Sequence, residues 1–244
     1  LLCIPTTAGT GSETTPFSVL YVNNKKTSVT GPALKANFFY FEPKFIKYNN
    51  SYTIASAGFD SLSQSIESIL SKNATQKSIQ FAKKSINLVL LNLFKFYKKK
   101  NEINAKNLLY AANYSGKAIS ISKTGVAHAL SYPFSSHFNL SHGHSVSLNT
   151  LKAIEFNYLN QNKSKILKKR LEILFKCFDC KNYKEIKKKL TLIFKKLNLE
   201  QNFKKLNISK KKLINLKKFI NEDRLKNNII KLNQKDIDTI LFKR

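Results

Sequence analysis

All four histidines of this 244-residue chain lie within twenty residues, at His128, His137, His142 and His144. The same stretch, residues 125–144, contains no lysine, although Lys and Arg together number 43 in the chain. Neutral imidazole is the commonest protein ligand for transition metals, and clustered titratable groups are typical of functional sites. The stretch therefore predicts a metal-binding or catalytic site. The alternative is a group of ordinary polar side chains.

Two further ligand types lie upstream, in a segment whose pattern predicts a helix. That helix would carry Asp60 and Gln64 one turn apart on the same face. Combined with His128 and His142, which are fourteen residues apart, they would supply one carboxylate, one amide and two imidazoles. One anion and three neutral ligands leave a divalent ion with net positive charge, which suits a Lewis acid acting on a carbonyl oxygen.

The first residues combine glycines with hydroxyl-bearing side chains in a short loop. Gly9 and Gly11 permit positive φ and close backbone approach, while Thr6, Thr7 and Thr10 offer hydroxyl groups. Such a loop can hold a phosphate or a ribose. It matches neither the dinucleotide fingerprint nor the P-loop, so on its own it is a weak indication.

The remaining pattern predicts a mainly helical chain that follows a short β-containing segment. Residues 18–22 and 27–30 are typical of two strands joined by a turn, and residues 38–41 form another short apolar run. From Ser51 onward proline is nearly absent and apolar residues recur at helical spacing, with Ser51 or Thr53 as the expected N-cap. Further helices are predicted over 75–98, 103–122 and 146–160 and, with lysines on solvated faces, across 162–244.

Composition limits the classes of function. The formal net charge of +29 invites a nucleic-acid interpretation, but only three of the 43 basic residues are arginines. The lysines are spread throughout and accompanied by Asn and Ile, as in proteins of AT-rich genomes. We therefore predict no specific nucleic-acid binding. No apolar run approaches the ~20 residues that span a bilayer, so no membrane insertion is expected either.

The cysteines and the N-terminus give two further expectations. Three cysteines form no secreted disulfide framework, and Cys177 with Cys180 fits packing on a helix face, which indicates a reducing cytoplasm. The chain begins without Met, and Leu1–Pro5 has the pattern of the end of a buried strand. The sequence therefore predicts an N-terminally truncated fragment.

Taken together, these motifs resemble the iron-containing (group III) alcohol dehydrogenases over nearly the whole chain. The segment from Thr6 to Glu13 is similar to that family's nucleotide loop, and Gly58–Gln64 is similar to its first metal motif. The stretch from Gly125 to Gly143 resembles its histidine signature, and the ending around Asn221–Leu225 resembles its C-terminal helices.

The resemblance implies a fold and an activity. Residues 1–48 would be the end of an α/β nucleotide-binding domain, and residues 49–244 would be an all-helical metal and catalytic domain. The implied activity is NAD- or NADP-dependent interconversion of a small aldehyde and a primary alcohol, assisted by Fe²⁺ or Zn²⁺, in a homo-oligomer. The residues carried over are, for the metal, Asp60, Gln64, His128 and His142 and, for the cofactor, Thr6, Thr7, Thr10 and Lys26.

Two departures from the family pattern refine this expectation. Gln64 stands where the family usually has a second histidine ligand, and Tyr132 stands where it usually has a histidine near the nicotinamide. Both replacements resemble a phosphonoacetaldehyde-reductase-like subgroup of phosphonate metabolism, which implies reduction of phosphonoacetaldehyde to 2-hydroxyethylphosphonate or of a similar aldehyde. Tyr132 would then relay a proton, and Lys123 would bind the anionic phosphonate. The alternative for Lys123 is a solvated surface lysine.

Three other interpretations stay open at this level. Gln64 could report a relative that has lost its metal, the chain could be an inactive remnant, or it could be a basic helical protein that binds nucleic acid. An amide oxygen is a weaker ligand than imidazole for iron or zinc, which is the physical basis of the first alternative.

Overall fold

A computed structural model describes residues 1–22, 25–215 and 217–242, and for residues 21, 22 and 25–27 it describes the backbone alone. Four short strands precede the helices: β1 (Leu2–Cys3), β2 (Phe17–Val22), β3 (Lys25–Thr30) and β4 (Phe38–Phe39). Strands β2 and β3 pair antiparallel, with Phe17 opposite Thr30, which confirms the predicted hairpin. Strands β1 and β4 pair parallel, and Leu1 and Leu2 are exposed rather than buried.

Eleven α-helices follow among the described residues. Their bounds are α1 Pro43–Lys47, α2 Ser51–Leu70, α3 Gln76–Lys98, α4 Glu102–Ser122, α5 Val126–His137, α6 His142–Leu159, α7 Lys165–Cys177, α8 Tyr183–Lys196, α9 Lys210–Asn215, α10 Glu222–Leu225 and α11 Gln234–Phe242. The described part of the chain contains no helix that is both long and apolar enough to cross a membrane. The cytoplasmic location, the homo-oligomer and the division after residue 48 stay predictions.

Helix α2 is the central element, and nearly all of it is buried. Its N-cap is Asn50, whose side chain accepts a hydrogen bond from the backbone N–H of Thr53, rather than Ser51 or Thr53 as expected. The buried serines of α2 bond across to neighbouring helices: Ser63 to Thr150 at 3.0 Å. Small hydroxyl side chains let helices approach closely while each buried polar group keeps a partner. This packing makes α2 a fixed platform for its functional side chains.

Two hydrophobic clusters flank this platform. The first joins α2, α3 and α4 with the lysine-rich helices α7 and α8, which bury residues such as Leu171 and Leu190 and leave their lysines outside. The second joins α5 and α6 with the C-terminal segment, including Leu213 and Leu241. The predicted solvated faces of α7 and α8 are thus confirmed. Cys177 and Cys180 both pack against the first cluster, but Cys180 lies beyond the end of α7 rather than on it.

Candidate metal centre

Three of the four predicted metal ligands converge where α2, α5 and α6 meet. Asp60 comes from the middle of α2, His128 from the first turn of α5, and His142 is the first residue of α6. The Oδ1 atom of Asp60 lies 3.1 Å from Nε2 of His128 and 3.8 Å from Nε2 of His142. One ligand atom from each residue lies within 4.8 Å of the others, so small side-chain movements would place all three around a single metal ion.

Glu67, on the same face of α2 as Asp60, contacts the other ring nitrogen of His128 and so positions its imidazole. Its Oε2 lies 2.5 Å from Nδ1 of His128 and accepts from the backbone N–H of Gly125 at 3.0 Å, while Oε1 accepts from the N–H groups of Ala127 and His128. A carboxylate at Nδ1 favours the tautomer that leaves the Nε2 lone pair available to a metal. Glu67 also accepts bonds from N–H groups that begin α5, which has no side-chain cap of its own.

Burial and charge pairing have opposite effects on the pKa values of the side chains at this centre. Burial alone would raise the pKa of Glu67, but the charge and hydrogen bond of His128, with the backbone N–H donors, lower the pKa below its usual value. Burial alone would lower the pKa of His128, but the carboxylates of Glu67 and Asp60 raise it. The metal-free centre therefore favours an imidazolium between two carboxylates.

This charge arrangement gives the metal-free protein a defined pH dependence. The lowered pKa of Glu67 contributes stability that is present above its ordinary value of 4.5 and is lost as pH falls through the folded pKa. The raised pKa of His128 contributes stability that is fully present below its ordinary value of 6.5 and is lost as pH rises through the folded pKa. Urea unfolding in the presence of a chelator should show the greatest free energy of unfolding between pH 4.5 and pH 6.5. A steady rise in stability from there to alkaline pH would contradict this expectation.

The donor set suits a borderline divalent ion. One carboxylate and two imidazoles, the first imidazole backed by a buried carboxylate, form the kind of site in which zinc and iron ions are bound and oriented. His128 must release its Nε2 proton to bind a metal, so binding should liberate a proton at acidic pH. Asp60, His128 and His142 are the residues that would hold the ion.

Gln64 reaches the centre but faces Asp60 with its amide nitrogen. Its Nε2 donates to Oδ2 of Asp60 at 3.2 Å, and its Oε1 accepts from the hydroxyl of Ser115 at 2.9 Å. In this arrangement Gln64 holds the Asp60 carboxylate in place. Its service as an oxygen ligand stays a prediction, and it would require the amide to turn over, so that its nitrogen donates to the hydroxyl of Ser115 instead of to Asp60.

The loop that contains Thr6, Thr7 and Thr10, called here the threonine loop, lies against the same centre. Gly11 has φ 60°, and a Cβ there would lie 2.3 Å from the carbonyl oxygen of Ala112, so only glycine fits between the loop and α4. The contact brings the carbonyl oxygen of Thr10 to within 3.4 Å of Nε2 of Gln64. Thr6 and Thr10 are exposed and Thr7 is half-buried, so their hydroxyls are accessible to a ligand. Lys26 lies on β3, but its side chain is outside the described part of the structure.

The other two histidines have structural partners. His137 ends α5 and packs on the ring of Phe219, with 4.9 Å between ring centroids. Nδ1 of His144 lies 3.0 Å from the hydroxyl of Tyr52, and its Nε2 lies 2.7 Å from the carbonyl oxygen of Glu200. Only two of the four clustered histidines therefore face the centre.

Gly143 fixes the position of its neighbour His142. A Cβ at residue 143 would lie 2.0 Å from the carbonyl oxygen of Ser56 on α2. Gly143→Ala must therefore push α6 away from α2, and we expect it to lower the free energy of unfolding by about 3 kcal/mol and to weaken metal binding. Urea unfolding and metal titration would measure both effects.

Gly31→Ala is the matched control for this substitution. Residue 31 has extended backbone, and a Cβ there would meet nothing within 4 Å. Both properties of that variant should match those of the unmodified protein. If Gly143→Ala and Gly31→Ala have equal free energies of unfolding, the close approach of α6 to α2 does not require glycine at residue 143, and the prediction is wrong.

Tyr132 and Lys123 lie beside the centre rather than in it. Tyr132 is buried on α5, one helical turn after His128. Lys123 follows the last residue of α4 and lines a cleft that also contains Arg224. Sequence reasoning missed two residues here, Glu67 and Arg224. Both had a signal: Glu67 shares a helix face with Asp60 and Gln64, and Arg224 is one of only three arginines.

The chain is similar to known proteins over most of its length. The model of the Fe-containing alcohol dehydrogenase family, C-terminal region, matches residues 54–244. A phosphonoacetaldehyde reductase of Streptomyces viridochromogenes is 30% identical over 161 residues, which cover 65% of this chain and 41% of that protein. A 4-hydroxybutyrate dehydrogenase of Clostridium kluyveri is 26% identical over 208 residues, which cover 82% of this chain and 56% of that protein.

A solved structure supports the fold. The crystal structure of sulfoacetaldehyde reductase from Bifidobacterium kashiwanohense, in complex with NAD⁺, superposes with a TM-score of 0.89 at 24% identity. The match covers 98% of this chain and 63% of that one. The chain thus spans between 41% and 63% of the length of these three proteins. The predicted fold class, a short strand-containing segment followed by a helical domain, is confirmed.

Proposed function

Because the chain belongs to the Fe-containing alcohol dehydrogenase family, we propose that it forms the metal-binding part of an enzyme that reduces an aldehyde to a primary alcohol with NADH or NADPH. The observation that carries this proposal is the convergence of Asp60, His128 and His142, with Glu67 behind His128. A metal centre built on three different helices is costly in buried charge, and such arrangements are typical of functional sites.

Each group has a distinct part in the proposed reaction. When bound, Fe²⁺ or Zn²⁺ would polarise the carbonyl oxygen, and NAD(P)H would supply the hydride. Thr6, Thr7 and Thr10, with Lys26, would contact the nucleotide, while Gln64 connects their loop to Asp60. Tyr132, buried one turn after His128, would provide the proton for the product oxygen or orient a water that does.

We further propose that the substrate is a small aldehyde with an anionic group, and that phosphonoacetaldehyde, reduced to 2-hydroxyethylphosphonate, is the first candidate. Two of the relatives are named for substrates that bear such a group, a phosphonate and a carboxylate. Lys123 would bind the phosphonate, since its ammonium lines the cleft beside the centre. The similarity to the phosphonoacetaldehyde reductase supports this candidate, and the carboxylate and sulfonate analogues are its competitors.

A metal-free relative is the second candidate function. It is favoured by one observation, the Gln64 amide nitrogen that donates to Asp60 in place of a fourth ligand. Metal analysis and turnover together separate the two candidates.

The test uses the product of the complete gene and compares the protein loaded with Fe²⁺ or Zn²⁺, the protein stripped with a chelator, and the protein reconstituted from the stripped form. We expect phosphonoacetaldehyde-dependent oxidation of NADH or NADPH in the loaded and reconstituted forms alone. Turnover that survives stripping would favour the metal-free candidate. Stoichiometric metal without any aldehyde-dependent oxidation would overturn the proposed activity.

A further inference from the structure

A cleft of about 320 Å³ lies between the β2–β3 hairpin, the end of α4 and the short helix α10. Its wall includes Phe17 and Thr30 from the hairpin, Ile119 and Lys123 from the end of α4, and Arg224 from α10. This volume is within the range of ordinary small-molecule sites. The three segments are distant in sequence, so the cleft exists only in the folded chain.

Two cationic residues, Lys123 and Arg224, line this cleft. Arg224 donates from Nη1 to the hydroxyl of Thr124 at 2.6 Å, and its guanidinium carbon lies 5.5 Å from the centroid of the Tyr132 ring. The ammonium of Lys123 lies 4.4 Å from the centroid of the Phe17 ring. Within the described ranges, neither cation has a carboxylate oxygen within 4.0 Å. Asp223 also lines the cleft, but its carboxylate is bound by Lys226 at 2.9 Å.

The backbone at Lys123 is held in a conformation that lysine seldom adopts. Its φ of 62° and ψ of 170° lie in a region that is populated almost only by glycine. Burial, and then the charge of Arg224, lower the pKa of Lys123, so the position is unfavourable both for its backbone and for its charge. An anion between the two cations would relieve the repulsion. A solvated surface lysine would not need such a position.

Neighbouring residues connect the cleft to the metal centre, although the two share no side chain. Thr124, which binds Arg224, precedes Gly125, whose N–H is bound by Glu67. Arg224 also covers Tyr132, one turn after His128 on α5. The backbone N–H of Asn221, the N-cap of α10, lies 3.4 Å from the carbonyl oxygen of Ala129. Helix α10 is therefore fastened to α5 beside the ligand His128.

We propose that Lys123 and Arg224 together bind a tetrahedral oxyanion on the substrate, and that Arg224 thereby selects aldehydes that carry a phosphonate or a sulfonate over neutral aldehydes. This inference rests on the proposed function, because it assigns the group next to the reacting carbonyl. The planar guanidinium can donate two parallel hydrogen bonds to such an oxyanion, and the ammonium adds a third donor and a second charge. The reaction itself is unchanged: the oxyanion is held and takes no part in bond making.

The first experiment measures binding without turnover. Isothermal titration of the chelator-treated protein with methylphosphonate, at low ionic strength, needs neither metal nor nicotinamide. We expect the unmodified protein to bind it, and Arg224→Gln and Lys123→Gln each to lower the affinity roughly 10- to 100-fold. Lys106→Gln, which removes the same charge from an exposed position on α4, is the matched control and should bind as the unmodified protein does.

The variant Lys123→Gly distinguishes loss of methylphosphonate binding from loss of the folded structure. Glycine adopts the backbone conformation at residue 123 without strain, so this variant should unfold at the same or a higher temperature while it loses methylphosphonate binding. Binding by all three variants as tight as that of the unmodified protein would overturn the proposal.

The second experiment measures selectivity. For Arg224→Gln, the ratio of kcat/KM for phosphonoacetaldehyde to kcat/KM for propanal should fall at least about tenfold, and Arg224→Lys should recover part of it. Sulfoacetaldehyde separates a phosphonate site from a sulfonate site. An equal loss for charged and neutral aldehydes, with a raised KM for NADPH, would assign the oxyanion to the nucleotide and overturn the substrate assignment. If no aldehyde is reduced but methylphosphonate still requires both cations, the proposed function fails and the anion site stands.

Discussion

His128→Ala is expected to reduce bound metal to a trace and to lower kcat/KM for aldehyde reduction by at least about 10³-fold. The imidazole supplies one of three converging ligand atoms, and its Nε2 lies 3.1 Å from Asp60. Its removal also leaves the buried carboxylates of Asp60 and Glu67 without the cation between them, so the metal-free variant should unfold more readily at neutral pH. Elemental analysis, steady-state kinetics and urea unfolding would measure the three effects.

His137→Ala is the control for this substitution. His137 lies on the same helix and loses the same ring, but it packs on Phe219 rather than facing the centre. It should keep its metal and its turnover. A His128→Ala protein with full metal content, or equal losses in the two variants, would refute the assignment of His128 as a ligand.

Glu67→Gln should weaken metal binding by about 10- to 100-fold and lower the free energy of unfolding by about 3 kcal/mol. Both oxygens of Glu67 accept bonds, Oε2 from Gly125 and His128 Nδ1 and Oε1 from Ala127 and His128 N–H. In the glutamine variant one of these two oxygens is replaced by an NH₂ group, which cannot accept hydrogen bonds. In either orientation of the amide, that NH₂ group therefore faces N–H donors. If that group faces Nδ1, the imidazole proton moves to Nε2, where it blocks the metal.

Metal titration monitored by calorimetry and urea unfolding would test Glu67. Glu172→Gln makes the same change at an exposed position on α7 and should alter neither quantity. The Glu67 prediction fails if the variant binds metal as tightly as the unmodified protein, because Glu67 would then cap α5 without setting the tautomer of His128.

The residues of the candidate metal centre could be predicted from sequence because their types are rare in this chain. Only four histidines occur, and Asp60 is one of five acidic residues in the first 150. In a lysine-saturated background, a lone carboxylate and two imidazoles are easily recognised. The family resemblance then implies the same grouping of Asp60 with His128 and His142 that the residue types indicate.

The orientation of Gln64 and the start of α5 could not be predicted in the same way. The Gln64 amide is set by Ser115, 51 residues later on α4. Helix α5 contains Pro133, and its N-cap, Gly125, has no side chain to cap it. Its first N–H groups are satisfied by Glu67, about 60 residues upstream, and a contact of this range leaves no local trace.

The short chain of hydrogen bonds from Thr10 through Gln64 to Asp60 joins the threonine loop to the candidate metal centre. If a nucleotide draws the loop backbone away from Gln64, the Asp60 carboxylate loses a donor, and occupancy of one site changes the affinity of the other. Thermodynamic linkage makes this coupling reciprocal. The factor by which NADH alters the metal dissociation constant must equal the factor by which the metal alters that of NADH.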